Sequence, residues 1–298
     1  MPTQSFRRRA ARCPLSLGLP FDSAFLTPSF PDTLLIGCGD LGADIGLRLD
    51  ALGHGVVAVR RNADLVPAPL VGVAADLTRE APVLPAMDLQ LLVIALTAWP
   101  RTEESYRATY VDGMRRALDA IDAAGHSPSR AVLVSSTGVY GDLPADELLD
   151  ESTVPGPVDG PAQMLQEAER LFAERVPGGT VLRLSGLYGR GEPRLLGQAH
   201  TGQIGDPNRW TNRIHRSDAS AAVVHLLTRD EAPADLYVGN DDEPALLGDV
   251  AAYLTSSESD ADPAQGHGKR LSNARLRATG WVPEFPTYRE GYAEHVTT

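Results

Sequence analysis

Three glycines, Gly37, Gly39 and Gly42, have the spacing G-x-G-x-x-G and follow an apolar run from Thr33 to Ile36. In a strand-turn-helix unit, such glycines permit a tight turn, let a pyrophosphate approach the backbone, and allow close packing of helix on strand. Free N–H groups at the helix start attract an anion. The pattern predicts a dinucleotide site, and a plain glycine turn is the alternative. The site residues predicted in this turn are Gly37, Cys38, Gly39, Asp40, Leu41 and Gly42.

A second apolar run, Val56 to Val59, follows at the spacing of a βαβ unit and ends on Arg60 and Arg61. An acidic residue at that strand end would bind the ribose hydroxyls of NAD, whereas an arginine suits the 2′-phosphate of NADP. We therefore predict that both arginines bind the cofactor and that NADP is preferred over NAD. The alternative is a pair of surface arginines beside a strand.

The ends of two further predicted strands extend this crevice, because ligands of parallel sheets bind beyond the carboxyl ends of the strands. Asp76 and Leu77 end the third predicted strand, where the adenine edge would lie. Ala95 and Thr97 lie at the end of the fourth predicted strand. We assign these residues to the cofactor site as well.

The composition is that of a globular protein with small-molecule partners. Of the 298 residues, 43% are hydrophobic and 22% are charged, and the formal net charge is -12. Such an acidic chain is a poor match for nucleic acid or an anionic membrane, because binding to either depends on cationic neutralisation. No apolar run reaches the roughly eighteen residues that a membrane helix needs. We expect a small-molecule substrate and a monomer or homodimer, with neither nucleic acid nor membrane as a partner.

The two cysteines, Cys13 and Cys38, indicate neither a disulfide framework nor a zinc site, and no metal is expected. This cysteine usage fits the reducing cytoplasm. Residues 1–31 combine several arginines with an apolar stretch broken by prolines. We interpret them as a flexible tail, with a targeting segment as the alternative.

Apolar strand-like runs alternate with helical patterns, which predicts an α/β fold. We expect a doubly wound parallel sheet of the Rossmann type with a small irregular C-terminal substrate lobe. Residues 32–185 are predicted to form the dinucleotide-binding domain. Residues 186–298 mainly form the lobe, and residues 213–240 return to the first domain. Within the lobe, residues 190–212 show no clear periodicity and are predicted to be irregular.

Several short motifs follow the fourth predicted strand. In chain order they are Ser135-Ser136-Thr137-Gly138-Val139-Tyr140-Gly141, Glu151-Ser152-Thr153-Val154-Pro155, Glu167-Ala168-Glu169, Leu182-Arg183-Leu184-Ser185-Gly186-Leu187-Tyr188-Gly189, Arg213-Ile214-His215-Arg216-Ser217-Asp218, and Gly280-Trp281 with Tyr288-Arg289-Glu290-Gly291. In this order they resemble the extended short-chain dehydrogenase/reductase superfamily, the nucleotide-sugar epimerases and dehydratases. The resemblance covers residues 33–295.

Two positions depart from the superfamily pattern. The superfamily carries a Tyr-x-x-x-Lys pair on the helix after the fifth strand, where the lysine lowers the pKa of the acid/base tyrosine. Counting back from Glu167-Ala168-Glu169 puts those positions at Pro161 and Leu165. Neither side chain can transfer a proton. The sequence therefore resembles an atypical branch that keeps the fold and the dinucleotide motif without the usual pair.

The resemblance suggests two candidate catalytic residues. Ser136 occupies the superfamily's substrate-hydroxyl position and would bind a carbonyl or alcohol beside the nicotinamide, or else it satisfies backbone groups at the strand end. Tyr140 belongs to the Val-Tyr-Gly turn and has either a structural or a catalytic role. Thr137-Gly138 stands where dehydratases carry an Asp-Glu pair, so dehydration is not expected.

Residues after the sixth predicted strand are candidates for the nicotinamide and substrate end. By resemblance, Ser185 closes over the nicotinamide. Arg190, Arg213 and His215 are the predicted substrate-binding residues, because arginine binds carboxylate or phosphate in a bidentate manner. Solvated arginines, and a histidine that only packs before a helix capped by Ser217, are the alternatives.

Together these observations predict an NADP-binding oxidoreductase or epimerase-like protein that acts on a carbonyl, alcohol or sugar-nucleotide substrate. A non-catalytic NAD(P)-dependent sensor or scaffold, which kept the pocket and lost the acid/base pair, is the alternative. Hydride transfer is chemistry of the cofactor, so proton transfer is the step that lacks an assigned residue.

Overall fold

A computed structural model describes residues 32–141, 143, 148–156, 158–191 and 193–296. The predicted tail, residues 1–31, lies outside the described residues. The strands in chain order are β1 (Thr33–Ile36), β2 (Val56–Arg60), β3 (Val71–Ala74), β4 (Leu91–Ile94), β5 (Arg130–Ser136), β6 (Leu148–Leu149), β7 (Thr180–Leu184), β8 (Gly186–Tyr188), β9 (Trp210–Thr211), β10 (Arg213–His215), β11 (Leu236–Gly239), β12 (Ala245–Leu246) and β13 (Arg270–Leu271).

The helices follow the same order, and a π-helical stretch, Arg107–Gly113, joins the second to the third. They are α1 (Asp40–Ala51), α2 (Glu103–Tyr106), α3 (Met114–Ala123), α4 (Gly160–Arg175), α5 (Arg194–His200), α6 (Arg216–Thr228), α7 (Leu247–Thr255), α8 (Ala274–Ala278) and α9 (Tyr288–Tyr292). A 3-10 turn, Thr137–Tyr140, follows β5. None of the helices in the described ranges is both long and apolar enough to cross a membrane.

The central sheet has seven parallel strands in the order β11-β7-β5-β4-β1-β2-β3. The chain enters at β1, runs outward to β3, and returns to β4 on the other side of β1. This confirms the predicted doubly wound Rossmann arrangement. The strand order reverses between β1 and β4, and such a switch point opens a crevice at the carboxyl ends of the strands.

Both faces of the sheet are buried, which explains the continuous apolar runs of its strands. In β1, Leu35 packs into one cluster, which includes Ile45 of α1 and Val223 of α6. Its neighbours Leu34 and Ile36 pack into the opposite cluster, with side chains of α3 and α4. A parallel sheet covered in this way presents only its strand ends to a ligand.

The lobe contains more regular structure than the sequence predicted. Residues 190–212, predicted to be irregular, contain two short regular elements, helix α5 and the two-residue strand β9. Helix α5 spans two turns and has one buried side chain, Leu196, so its apolar pattern is too short to reveal a period. It packs beside Leu254 of α7 and Tyr288 of α9 in a small separate core.

The cap of helix α6 also differs from the prediction. The N-cap residue is His215, whose Nδ1 accepts a hydrogen bond from the backbone N–H of Ser217 at 3.3 Å. Ser217 is the second residue of the helix and not its cap. An imidazole nitrogen that lacks a proton serves here as the acceptor that the sequence pattern had assigned to a hydroxyl.

The turn between β1 and α1 explains the glycine spacing. Gly37 has φ +97°, and a Cβ added there would lie 2.4 Å from the carbonyl oxygen of Ala95. A Cβ at Gly42 would lie 2.2 Å from the carbonyl oxygen of Gly37. A Cβ at Gly39 meets no atom within 4 Å. Two of the glycines are therefore required by packing, and the third keeps a space open.

Asp241 carries a buried carboxyl group at the end of the sheet. Asp241, just after β11, is 1% exposed, and its backbone N–H donates to the carbonyl oxygen of Arg213 at 2.7 Å. Burial raises the pKa of Asp241 from 3.8 to about 8, although the positive charge of Arg213 opposes the shift. Near neutral pH this side chain therefore retains its proton in the folded protein.

The substitution Gly37→Ala is expected to destabilise the fold by ~2 kcal/mol or more, because it combines a positive φ with a backbone clash. The melting temperature should fall by roughly 4 °C or more. Gly39→Ala is the matched control, since its Cβ enters open space at φ -78°. Equal melting temperatures for the two variants would contradict this account of the turn.

The raised pKa of Asp241 predicts a pH dependence of stability. Between pH 4 and pH 8 the carboxyl ionises in the unfolded chain while the folded protein holds its proton, so unfolding becomes more favourable as pH rises. Thermal melting at several pH values should show a smaller loss of stability between these limits for Asp241→Asn than for the wild type. The exposed substitution Asp260→Asn should parallel the wild type, and parallel curves for all three proteins would refute the prediction.

Candidate cofactor and substrate site

A cleft of about 350 Å³ lies at the carboxyl ends of β1, β2 and β4. It brings together most of the cofactor-binding residues that were predicted from separate parts of the chain. Those that line it are Gly37, Cys38, Gly39, Arg60, Arg61, Asp76, Leu77, Ala95 and Thr97. The cleft therefore occupies the place at which the sheet order predicts a ligand.

One end of the cleft is suited to phosphate. Gly39 caps α1 without a side chain, so N–H groups of the first helical turn carry no side-chain cap. The N-terminus of a helix is electropositive, and its N–H groups bind anions. The open space at Gly39 lets an anion approach this backbone closely. Both features fit the diphosphate of a dinucleotide.

The remaining residues of the predicted turn support this end without lining the cleft. Leu41 packs against the core, and Gly42 packs against Gly37. Asp40, in the first turn of α1, forms an ion pair with Arg190, and Nη1 of Arg216 lies 3.8 Å from the same carboxylate. Two arginines from distant parts of the chain thus lie beside the helix N-terminus.

Arg60 and Arg61 place positive charge at the other end of the cleft. Nη1 of Arg60 donates to the carbonyl oxygens of Cys38 at 2.8 Å and Leu65 at 3.1 Å. These bonds fix the guanidinium between the glycine turn and the 3-10 turn Ala63–Leu65. Arg61 is exposed on the rim. The adenosine end of a bound dinucleotide would meet both cations.

Asp76 presents an ionised carboxylate to the same cleft. Its Oδ1 accepts from the hydroxyl of Thr78 at 2.7 Å and from the backbone N–H of Thr78 at 3.1 Å. The hydrogen bond from the Thr78 hydroxyl is the main cause that lowers the pKa of Asp76. A carboxylate held in this way is an acceptor for an exocyclic amine such as that of adenine.

Ser185 does not line this cleft with the other predicted cofactor residues. It lies just after β7, is 7% exposed, and its backbone N–H donates to the carbonyl oxygen of Gly239 at 2.9 Å. Its Oγ is buried and has no hydrogen-bond partner among the described residues. Contact between Ser185 and the nicotinamide therefore stays a prediction.

A larger cavity, about 800 Å³, lies between the turn after β5 and the lobe. Thr137 and Gly141 form its wall on the sheet side, and Arg209, Trp210 and Lys269 are among the lobe residues that face them. Thr137, the first lining residue in chain order, directly follows Ser136. The cavity is the candidate substrate site, because a substrate there lies beside the carboxyl edge of the sheet.

The two predicted catalytic residues both have hydrogen-bond partners in the fold. The Oγ of Ser136 accepts from the backbone N–H of Gly138 at 3.0 Å and caps the 3-10 turn. Tyr140 is 1% exposed, and its hydroxyl donates to the carbonyl oxygen of Asp150 at 2.9 Å. Burial raises the pKa of Tyr140. This geometry favours packing for Tyr140, and catalysis by either residue stays a prediction.

An ion pair next to the site connects helix α4 with strands β5 and β7. Glu169 of α4 binds Arg183 of β7, with Oε2 2.7 Å from Nη2, and both side chains are nearly buried. The same carboxylate accepts from the hydroxyl of Ser135 at 2.6 Å. The guanidinium of Arg183 lies 4.9 Å from the centre of the Tyr140 ring. The Glu-Ala-Glu motif therefore fixes the strand ends relative to helix α4.

The positions that correspond to the superfamily's catalytic pair are both apolar and structural. Pro161 lies in the first turn of α4, where its missing N–H has no cost. Leu165 is 6% exposed and packs with Val139, Tyr140 and Val238. No proton donor or acceptor side chain occupies either place.

The predicted substrate-binding residues are separated. Arg190 lines a third cavity of about 450 Å³. Arg213 is 6% exposed, donates to Thr211, and lies 5.4 Å from the ring centre of Tyr288. His215 stacks 3.9 Å from Phe285, and burial lowers its pKa. Substrate contact by these three residues stays a prediction. The burial of Arg213 and the packing of His215 argue against such contact for those two residues.

The sequence reasoning missed Lys269. Its Nζ donates to the carbonyl oxygens of Thr137 and Gly141, each at 2.9 Å, and it lines the 800 Å³ cavity. It lies 133 residues after Ser136 in the chain, so local spacing gives no sign of the contact. One signal was available, since Lys269 is the single lysine in the sequence.

Comparison with known proteins agrees with this geometry. A solved structure assigned as an NAD-dependent epimerase/dehydratase from Methylobacillus flagellatus has 35% sequence identity and a TM-score of 0.74, and covers 90% of this chain and 98% of its own. The UDP-glucose 4-epimerase of Thermus thermophilus, solved with NAD, has 19% identity and a TM-score of 0.67 over 89% of this chain and 97% of its own. At that identity the second likeness shows the fold alone.

A curated relative, the dTDP-6-deoxy-L-talose 4-dehydrogenase (NAD(P)(+)) of Kitasatospora kifunensis, is 30% identical over 176 residues. The match covers 55% of this chain and 55% of the relative, so this chain spans about half the length of that protein. The family model for NAD dependent epimerases and dehydratases matches residues 34–239, which include the central sheet except for Thr33, the first residue of β1. The chain therefore belongs to the NAD-dependent epimerase/dehydratase family.

Proposed function

We propose that this protein is an NADP-binding oxidoreductase or epimerase-like enzyme that acts on a carbonyl or alcohol carbon of a small molecule, with a sugar nucleotide as the favoured class. Family membership supports a nicotinamide cofactor. The curated relative is named for a sugar-nucleotide dehydrogenase reaction, which supports the substrate class. The oligomeric state of the enzyme, monomer or homodimer, is part of the same proposal.

The cleft at the switch point is the observation that carries the proposal. Its phosphate end has an uncapped helix start and open space at Gly39, and its adenosine end has Arg60, Arg61 and Asp76. A nicotinamide cofactor bound there supplies hydride transfer. Residues of this chain bind the diphosphate at the one end of the cleft and orient the adenosine at the other.

The preference for NADP rests on Arg60. A carboxylate at this strand end is the usual partner of the ribose hydroxyls of NAD, and this chain has a guanidinium in its place. The two carbonyl contacts of Nη1 hold the guanidinium at the cleft, so little conformational freedom is lost when a phosphate binds. A 2′-phosphate would receive charge-assisted hydrogen bonds there.

Ser136 is the proposed contact for the oxygen of the reacting carbon. It ends β5 and adjoins the wall of the 800 Å³ cavity. Its Oγ accepts one hydrogen bond from Gly138, which leaves the hydroxyl proton to be donated. This donation would orient a carbonyl or alcohol, whereas the proton itself must come from another group.

A non-catalytic sensor or scaffold is the second candidate, and one observation favours it. Pro161 and Leu165 occupy the positions of the superfamily's acid/base pair, and Leu165 is sealed into the core. A protein of this kind would bind the cofactor and respond to it without turnover.

Titration with NADP and NAD tests the cofactor assignment. The wild type should bind NADP more tightly, and Arg60→Asp should lose at least about tenfold in NADP affinity because a charge-assisted phosphate contact becomes a repulsion. Arg170→Asp, an equal charge change on an exposed residue of α4, should keep NADP affinity. A wild type that prefers NAD would show the arginine argument to be wrong.

Turnover separates the enzyme from the sensor. NADPH absorbance is followed with a panel of carbonyls and sugar nucleotides, and Ser136→Ala should lower the rate about 100-fold while NADPH still binds. Ser129→Ala, immediately before the first residue of β5, is the control and should keep the rate. Cofactor binding without turnover across the panel would instead support the sensor.

A further inference from the structure

The single lysine of this chain lies where the lobe meets the carboxyl edge of the sheet. Nζ of Lys269 donates at 2.9 Å to the carbonyl oxygen of Thr137 and at 2.9 Å to that of Gly141. These two carbonyls bracket the 3-10 turn that Ser136 caps. The ammonium group therefore has a defined position next to the proposed substrate hydroxyl contact.

The backbone around Lys269 is also fixed. The side-chain amide of Asn212 donates to the carbonyl oxygen of Lys269 at 2.8 Å and accepts from the N–H of Leu271 at 2.8 Å. The N–H of Trp210 donates to the carbonyl oxygen of His267 at 2.8 Å. Strand β13 then pairs with β6. Contacts on both sides thus hold this segment against the cavity wall.

Among the residues that the structure describes, the lining of the same cavity carries more cationic than acidic side chains. Arg209 and Lys269 both line it, in a chain whose formal net charge is -12. The acidic residue of the described lining, Asp206, is exposed but already has partners, because its Oδ2 lies 2.8 Å from Nε2 of His267 and its Oδ1 accepts from the backbone N–H of Asn208. A cavity with these walls favours an anionic ligand.

We propose that Lys269 is a substrate-binding residue, whose ammonium group binds an anionic oxygen, of phosphate or carboxylate, on the ligand of the 800 Å³ cavity. The inference rests on the proposed function in that it assigns this cavity to the substrate. It places a cation on the lobe side of the cavity. The chain thus binds its substrate through a C-terminal segment rather than through helix α4.

The unique lysine makes a direct test possible. In protein labelled with ¹³C at lysine Cε, the single lysine signal belongs to Lys269 without further assignment. The intact protein is titrated with UDP-glucose, inorganic phosphate and glucuronate, and NADPH binding is measured separately by fluorescence. The Cε signal should shift saturably with at least one anion, and the phosphate and glucuronate arms show which oxygen chemistry is preferred.

Two variants separate charge from packing. Lys269→Arg should keep the affinity for the shifting anion within about threefold, whereas Lys269→Met should lose at least about tenfold, since only arginine retains a charge-assisted donor. Melting temperatures establish that both variants fold, and NADPH should bind both as it binds the wild type.

A lysine signal unmoved by all three anions, or wild-type anion affinity in Lys269→Met, would overturn the inference. The cofactor assignment stands or falls independently of it. Failure of NADPH to bind the wild type would refute the proposed function, while a saturable shift of the lysine signal would still establish the anion site.

Discussion

Close contact between the glycine turn and the neighbouring strand is the constraint on which this structure depends. The turn after β1 passes so near β4 that a Cβ at Gly37 would lie 2.4 Å from the carbonyl oxygen of Ala95. A Cβ at Gly42 would similarly strike the carbonyl oxygen of Gly37, so α1 begins directly against the end of β1. This packing directs the helix N-terminus at the switch point of the sheet. The same contact therefore fixes the fold and creates the electropositive end of the cleft.

The sheet was predictable because its information is local. Strands buried on both faces need continuous apolar runs, and β1, β2 and β4 show them within a few residues of their observed limits. The structure of the lobe could not be predicted in the same way, because its helices and strands are short. Helix α5 buries only Leu196, and the β12 and β13 pairs involve two residues each, too few to generate a pattern. Such elements are specified by contacts distant in sequence.

The same distinction applies to the site. Most predicted cofactor residues converge because they follow the ends of neighbouring strands, and parallel strands present their carboxyl ends on one edge. Ser185, which follows the more distant strand β7, does not line the cleft. His215 was a candidate for substrate binding, yet its ring serves as a helix cap and packs against Phe285. Lys269 is the opposite case, since no local pattern marks a residue whose partners, Thr137 and Gly141, are contributed by the turn after β5. Residue type and position at a strand end were therefore enough to predict part of the site. Contacts between residues distant in the sequence could not be predicted in this way.

The side chains of helix α4 limit which residues could transfer a proton in this site. The inward face of the helix carries Leu165, which packs against Tyr140 and Val238, so a polar side chain there would lose apolar contact and be left without water. Glu169, one turn further on, is committed to Arg183 and Ser135. Of the described walls of the proposed substrate cavity, the lobe side therefore carries the ionisable groups, at Asp206, Arg209, His267 and Lys269. We therefore expect that, among the described residues, an acid or base serving this cavity comes from the lobe side, while Ser136 at its edge orients the reacting oxygen.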